Sequence, residues 1–143
     1  MLVILDTNVL IGALISPSGH PHIIYDAWCS DRFELLTSLI QLEEIRQVSR
    51  YPKLKRILPP HRVGTMINNM QRASILEDLP ELPAEIKSLD PNDDFLLAMA
   101  LASNADYLIT GDRKSGLLQL GKIKRTKIIT PAVFCLDILS IRN

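Results

Sequence analysis

Apolar residues recur along this chain in runs of two different lengths. Short, nearly continuous runs predict buried strands in "LVIL" (2–5), "RFELLTS" (32–38), "DYLITG" (106–111) and "TKIIT" (126–130). Longer stretches predict helices in "HIIYDAWCSD" (22–31), "SLIQLEEIRQVSR" (38–50), "PHRVGTMINNMQRAS" (60–74), "DPNDDFLLAMALASNA" (90–105) and "PAVFCLDILS" (131–140). Strands that alternate with helices favour an α/β fold, a three-layer sandwich in which helices flank a central, mainly parallel sheet.

The length of the chain fits a single domain. Its 143 residues are enough to bury a substantial core, and residues 1–143 are predicted to form one unit. Apolar residues make up 47% of the chain and aromatic residues only 5%, so the core should be aliphatic. The proline-flanked stretch "ELPAEIKSLDP" (81–91) is predicted to be a surface connector.

Charge and cysteine content exclude several classes of protein. The chain has 16 basic and 16 acidic residues, which argues against a histone-like protein and against an acidic disordered tail. Cys29 and Cys135 form no C-x-x-C motif, which favours a reduced, cytoplasmic protein with both thiols in the core. Asp6 interrupts what would be the apolar part of a signal peptide, and no apolar stretch approaches the roughly 20 residues that a membrane span requires.

Two aspartates directly follow predicted strands. Asp6 ends the first strand, and Asp112 ends the later one in "DYLITGD". In open α/β sheets, ligands collect at the carboxyl ends of the strands, so both carboxylates should emerge at one edge if both strands are central and parallel. Each residue alone could instead be an Asx-type turn residue or a helix N-cap. Two acids at equivalent strand ends favour a shared site.

A third acid comes from the predicted helix at 38–50. With about 100° of rotation per residue, Ile40, Ile45 and Val48 define an apolar arc that includes Glu44 at about 140° and leaves Glu43 outside at about 40°. Glu43 is therefore predicted to be solvated. Glu44 is predicted to lie on the buried face, unless it only flanks the core or pairs with a nearby arginine.

The fourth acid comes from "DPNDDFLLAMALA" (90–102). Asp90 is a good N-cap, Pro91 a good first helical residue, and Asp93 and Asp94 lie in the first turn, where capping and the helix dipole explain acids without any function. The helix that follows is apolar almost all round, so its beginning should lie near the core. Spacing alone does not choose between Asp93 and Asp94.

If these four acids meet, their repulsion requires compensation. Two unit charges 4 Å apart repel by about 4 kcal/mol at an effective dielectric constant of about 20, and a domain has only about 5–15 kcal/mol of net stability. Either some acids are protonated or a cation binds among them, and an all-oxygen site suits Mg²⁺ or Mn²⁺. Zinc is not expected, because His20, His22 and His61 have no cysteine at ligand spacing and are predicted to be solvent-exposed.

Four segments together resemble a PIN domain over nearly the whole chain: "ILDTNVLIGAL" (4–14), "SLIQLEEIRQV" (38–48), "DPNDDFLLAMALASNADYLITGD" (90–112) and "IITPAVFCLDIL" (128–139). More narrowly, they resemble the toxin branch of toxin–antitoxin systems, akin to VapC-type ribonucleases. The resemblance carries the acids of the family onto Asp6, Glu44, Asp93 and Asp112, and so selects Asp93 over Asp94. Its supporting polar residues match Thr7, Asn8 and Thr110. One departure is small: Asn92 stands where the third motif usually has an acid.

The resemblance implies an Mg²⁺- or Mn²⁺-dependent endoribonuclease that is the toxin of a toxin–antitoxin pair. One or two ions, about 3.5–4 Å apart if there are two, would activate water and stabilise charge on the phosphate. Asp6, Asp93 and Asp112 would hold the main ion, and Glu44 would bind a second ion or orient the water. Asn8 or Thr110 would fix the carboxylate orientations. By the same analogy, a cognate antitoxin and a homodimer are expected.

The distribution of charge is compatible with an RNA substrate. Six Lys or Arg residues lie between Arg46 and Arg62, and six more lie between Arg113 and Lys127, with no acid in either segment. Such basic flanks around an acidic centre suit a polyanion, although solvated surface charge is the alternative. The candidate RNA-binding residues are Arg50, Lys53, Lys55, Arg56, Arg113 and Lys114.

Two other functions compete with this one. A PIN-like module could bind RNA or protein without cleaving it, but such a module has no need for all four acids. A receiver or haloacid-dehalogenase-like phosphatase has a similar α/β build. The phosphatase needs a second aspartate two residues after the first, where this chain has Asn8, and a receiver needs an acid pair at the end of the first strand.

Overall fold

A computed structural model describes residues 1–86 and 90–141 of the chain. The strands in these residues are β1 (Leu2–Leu5), β2 (Glu34–Ser38), β3 (Ser74–Leu76), β4 (Tyr107–Ile109), β5 (Lys122–Ile123) and β6 (Thr126–Ile129). They form one sheet in the order β3-β2-β1-β4-β6-β5. All neighbours are parallel except β5, which pairs antiparallel with β6 at the edge. The predicted mainly parallel α/β sheet is confirmed.

Helices connect the strands and cover the sheet. Their bounds are α1 (Thr7–Ile15), α2 (His20–Cys29), α3 (Leu39–Ser49), α4 (Pro52–Lys55), α5 (Pro60–Met70), α6 (Asp94–Ser103), α7 (Leu117–Leu120) and α8 (Pro131–Val133). A single 3₁₀ turn, Pro91–Asp93, leads into α6, and α8 continues as a π-helical turn over Phe134–Ile138. Prolines in the first turns of α2, α4, α5 and α8 fit the preference for proline where no intrahelical N–H donor is needed.

The two faces of the sheet bury separate apolar clusters. Side chains alternate along a strand, so Val3 and Leu5 of β1 join one cluster while Ile4 joins the other. The first cluster includes Trp28 and Phe134, and the second is built mainly by α6 against the sheet. β1 is therefore apolar throughout because helices cover it on both faces, which explains the continuous run in the sequence.

Several predicted boundaries are wrong. The helix predicted over 60–74 ends at Met70, because Ser74–Leu76 pair with Leu36–Ser38 as strand β3. The helix predicted over 131–140 is a short α-helix followed by a π-helical turn. The sequence prediction did not include α1, α4, α7 or β5, which are short or continue an apolar run without a change of composition. In the predicted connector 81–91, residues 87–89 lie outside the described part of the chain.

The predictions for cysteine and histidine were partly wrong. Cys135 is buried as expected and Cys29 is only half-buried, and both thiols are free. His61 is exposed, but His20 and His22 are half-buried in the first turn of α2. His22 is held there because its Nδ1 lies 3.2 Å from the Ala13 carbonyl oxygen and its Nε2 lies 3.2 Å from Asp26. In the described residues, no helix has the length and apolar character needed to cross a membrane.

Candidate functional site

The centre of the site is the point where β1 and β4 end side by side. Leu5 is paired with Ile109, and the Asp6 N–H extends the ladder by donating to the Ile109 carbonyl oxygen at 2.9 Å. The Thr110 hydroxyl then donates to Oδ2 of Asp6 at 2.7 Å. Asp6 is only 3% exposed. Burial raises its pKa despite this hydrogen bond, and the charge of Asp112 raises it further.

Asp112 lies at the same edge and is joined to Asp6 through Thr110. The Asp112 N–H donates to the Thr110 hydroxyl oxygen at 3.1 Å, so this hydroxyl bridges the two acidic residues. Both acids also act as local caps: Asp6 Oδ1 accepts from the Asn8 N–H, and Asp112 Oδ1 accepts from the Lys114 N–H. Each cap uses only one oxygen of its carboxylate. An acid that caps a turn can therefore also take part in a site at this edge of the sheet.

Glu44 reaches this edge from α3. The Thr7 hydroxyl, directly after Asp6, donates to Oε2 of Glu44 at 2.5 Å. Burial raises the pKa of Glu44, and the charges of Asp6 and Asp90 raise it further. Glu43 lies outside the buried face as predicted, with its carboxylate 3.6 Å from Nη1 of Arg46.

The buried face of α3 is centred on other residues than predicted. Ile40 was expected to be buried but is 50% exposed, whereas Gln41, Leu42 and Ile45 are buried. The buried face is rotated by roughly 80° from the predicted one, and Glu44 lies at its margin, half-buried. Ile40 instead borders a cavity of about 590 Å³ between α3 and the beginning of α6, lined by Leu39, Ile40, Glu43, Glu44, Gln47, Tyr51, Asn92 and Phe95.

Asp93 completes the acidic group. It ends the 3₁₀ turn that leads into α6, and Asp90 caps this turn by accepting from the Asn92 N–H at 3.0 Å. The pKa of Asp93 is raised to about 7, mainly by burial and further by the charges of Asp6, Asp90, Asp112 and Glu44. Asp93 therefore interacts electrostatically with each of the other three predicted acids. Asp94 lies along a different cavity with Leu79, Leu82 and Ala98.

A cation fits the donor set of this group. Three of its carboxyl groups have raised pKa values, and like charge contributes to each shift, which is the electrostatic signature of acids that lack a counter-charge. The donors are all oxygen atoms, the preferred ligands of Mg²⁺ and Mn²⁺. Within residues 1–86 and 90–141, no three acidic, histidine or cysteine side chains already stand at metal-binding distance. An ion held directly by three of these carboxylates would require at least one of them to move closer, whereas water could complete the coordination of an ion held by fewer.

The predicted supporting residues are arranged in three different ways. The Thr110 side chain contacts Asp6, and the Thr7 side chain contacts Glu44. Asn8 contributes its backbone N–H to Asp6, while its exposed side chain borders a cavity of about 370 Å³ shared with Asp112 and Pro131. Cavities thus adjoin the acids on both sides, one at Glu44 and one at Asp112.

Gln41 belongs to the surroundings of the site but was not predicted. It is fully buried, its Nε2 donates to the Leu5 carbonyl oxygen at 2.6 Å, and its Oε1 accepts from the Thr37 hydroxyl at 2.8 Å. The signal was present in the sequence, because Gln41 lies at about 200° on the helical wheel, next to Ile45 at about 240° and inside the predicted apolar arc. Gln41 was not predicted because glutamine is rarely found in an apolar core.

The candidate RNA-binding residues form two separate groups, and all of them are exposed. Arg113 and Lys114 directly follow Asp112 at the site. The other group, Arg50, Lys53, Lys55 and Arg56, begins at the end of α3, about 9 Å along the helix axis from Glu44. Arg50 and Lys55 border a cavity of about 290 Å³ with Arg46 and the apolar residues Leu58, Val63 and Ile67.

Comparison with known proteins agrees with this architecture. A family model described as PIN domain matches residues 2–114. The uncharacterized protein MJ1680 of Methanocaldococcus jannaschii is 31% identical over 112 residues, which cover 78% of this chain and 70% of that protein. A chain in the crystal structure of VapBC2 from Rickettsia felis, bound to a DNA fragment from their promoter, matches with a TM-score of 0.55 and 16% identity. The match covers 91% of this chain and 98% of that one, and at this identity it supports the fold alone.

Proposed function

We propose, since this chain belongs to the PIN domain family, that it is a metal-dependent endoribonuclease that hydrolyses phosphodiester bonds of RNA. The observation that carries the proposal is that the charges of Asp6, Glu44 and Asp112 all raise the pKa of Asp93. These four acids come from separate segments of the sequence. Like charges gathered at a sheet edge lower the stability of the fold unless a proton or a cation compensates them. Binding of a hard cation is the compensation that fits oxygen donors.

Three aspartates are proposed to hold the ion. Asp6, Asp93 and Asp112 surround the edge where β1 and β4 end, and Glu44 would bind a second ion or orient the attacking water. When bound, Mg²⁺ or Mn²⁺ supplies a nucleophilic water at neutral pH and stabilises charge on the phosphate. Thr110 keeps Oδ2 of Asp6 aimed at this edge, and Thr7 does the same for Oε2 of Glu44.

Biologically, we propose the toxin of a toxin–antitoxin pair. The assignment and a cognate antitoxin as partner follow from the sequence motifs, and the likeness of the fold to a chain of a VapBC2 complex is compatible with both. A homodimer and a cytoplasmic location are part of the same proposal. A PIN-like module that binds RNA or protein without cleaving it is the second candidate function, because the exposed basic residues Arg50, Lys53, Lys55 and Arg56 would serve binding alone as well.

Cleavage of a labelled RNA of mixed sequence tests the proposal. The wild-type protein should cleave it with Mg²⁺ or Mn²⁺ and stop when EDTA is added. Asp6→Asn should abolish cleavage, whereas Asp26→Asn, which alters an exposed acid on α2, should cleave like the wild type. An Asp6→Asn protein that cuts RNA as fast as the wild type would end the catalytic assignment. RNA binding without cleavage by the wild type would favour the binding module.

A further inference from the structure

Gln41 connects the two elements that carry Asp6 and Glu44. Its side chain leaves α3 and reaches the last carbonyl of β1, at Leu5, immediately before Asp6. Three residues further along α3 is Glu44. The Leu5 carbonyl can only accept, so Nε2 must face it and Oε1 must face the Thr37 hydroxyl. The orientation of the amide is thereby fixed.

The contacts that link Thr37 to Glu44 through Gln41 all have the same donor-to-acceptor direction. The Thr37 hydroxyl donates to Oε1 of Gln41, Nε2 of Gln41 lies 3.5 Å from Oγ1 of Thr7, and the Thr7 hydroxyl donates to Oε2 of Glu44. The weak contact to Thr7 sets the direction of the next hydrogen bond. Because the Gln41 amide donates toward a lone pair of the Thr7 oxygen, the hydroxyl proton of Thr7 is favoured on the side of Glu44. A buried amide thus orients the hydroxyl that holds the glutamate.

Local helix capping does not account for this arrangement. Ser38 and Gln41 have the S-x-x-Q spacing of a capping box, in which the glutamine side chain would return to the N-cap residue. Ser38 does accept from the Gln41 N–H at 3.1 Å, but the Gln41 side chain is directed across to β1 instead. A fully buried glutamine is costly unless every polar atom is paired, so its retention here requires these partners.

We propose that Gln41 is a positioning residue that fixes the separation of β1 and α3 and, through Thr7, the orientation of the Glu44 carboxylate. The positioning itself is a property of the metal-free fold. The effect of this positioning on metal binding and cleavage rests on the proposed function, because Asp6 and Glu44 act together only in that function.

A double-mutant cycle in urea unfolding tests the positioning without any assumption about activity. Gln41→Met keeps the length of the side chain but removes its hydrogen bonds. This variant is measured alone and in combination with Glu44→Gln. The unfolding constant of the double variant should depart at least fivefold from the product of the single effects, because coupled sites are not additive. Thr126→Val is the matched control: it also removes a fully buried hydrogen bond to a carbonyl, from Thr126 to Ala105 at 2.6 Å, but at the opposite edge.

The outcomes separate the two proposals. Additivity of Gln41→Met with Glu44→Gln, to the same degree as Thr126→Val with Glu44→Gln, would overturn the role of Gln41. If Gln41→Met does not fold, Thr37→Val, which removes only the bond to Oε1, enters the same cycle with the same criterion.

Mn²⁺ titration then measures the consequence for metal binding. The Mn²⁺ dissociation constant should rise about 10-fold or more in Gln41→Met and stay within twofold in Thr126→Val. A wild type that binds no Mn²⁺ contradicts the proposed function, and the cycle still decides the role of Gln41.

Discussion

The Thr110 hydroxyl donates a hydrogen bond to Oδ2 of Asp6 at 2.7 Å, across 104 positions of the sequence. The contact exists because β1 and β4 are parallel neighbours with Leu5 opposite Ile109, so the residues that follow each strand emerge together. The same hydroxyl accepts from the Asp112 N–H. One small side chain therefore sets the relation between two of the proposed metal ligands.

Thr110→Val should weaken metal binding while preserving the fold. Valine has nearly the shape of threonine but cannot donate to Asp6, so the Asp6 pKa should rise further and the Mn²⁺ dissociation constant should increase about 10-fold. Isothermal titration with Mn²⁺ measures this. Thr65→Val is the control, because the Thr65 hydroxyl donates to the His61 carbonyl oxygen on the exposed part of α5. Equal affinities in both variants would show that Thr110 does not support the ligand set.

Glu43 and Glu44 provide a matched pair of adjacent carboxylates on one helix. Glu44→Gln removes the charge that Thr7 holds at the site, and we expect the rate of RNA cleavage to fall by at least 100-fold, within the range typical of a lost acid–base or metal-orienting group. Glu43→Gln disturbs only the exposed pair with Arg46, which is worth about 0–1 kcal/mol of stability. If Glu43→Gln proves as damaging as Glu44→Gln, the assignment of the site face of α3 is wrong.

The basic residues next to Asp112 should contribute to RNA affinity through the phosphates. Replacing Arg113 and Lys114 together with alanine should weaken binding of a single-stranded RNA and reduce the slope of log K against log salt by about 1.4, or about 0.7 for each contact. Lys122 and Lys127, which pair across β5 and β6, are the control double variant. Salt slopes that change equally in both variants would indicate nonspecific surface charge.

The architecture was predictable because the central strands β1, β2 and β4 are mostly buried and apolar and each long helix has a proline or polar beginning. The elements that escaped prediction are α4, α7 and β5, which are four residues or fewer, and α1, which continues the apolar run of β1. Ser74–Leu76 is too short to show a period of its own, and only its pairing with β2 makes it a strand. Tertiary contacts decided these cases.

The candidate site was predictable to the level of residues but not of contacts. Two strand ends and the first turn of α6 identify Asp6, Asp112 and the pair Asp93 and Asp94 from position alone. Only the resemblance selected Asp93, which the structure couples electrostatically to the other three acids. Gln41 escaped because it is a polar residue in the core, and its partners on β1 and β2 cannot be inferred from local periodicity.

The free energy of unfolding of the metal-free protein should fall as pH rises from about 5 to 7. Asp93 has a pKa of about 7 in the folded protein and 3.8 as the reference value. Between these values the folded state keeps a proton that the unfolded state has lost, so the unfolded state gains relative stability as the pH increases. The raised pKa values of Asp6 and Glu44 act in the same direction. Because Asp93 is partly exposed, we expect its share to be on the order of 1 kcal/mol, or roughly 4 °C in melting temperature.

Melting curves in EDTA, recorded at several pH values, measure this loss. Asp93→Asn should flatten much of the slope and raise the melting temperature at pH 7, because the amide carries no charge to repel Asp6. Asp94→Asn should retain the slope of the wild type, and Mg²⁺ should flatten it by supplying the missing counter-charge. Below pH 4 a separate loss is expected, because the pKa of Asp106 is lowered by its hydrogen bonds with the Leu2 N–H and Arg125. A melting temperature that rises between pH 5 and 7 without metal would mean that the acids at this edge are too far apart or too solvated to repel one another. The cation site would then lose its physical basis.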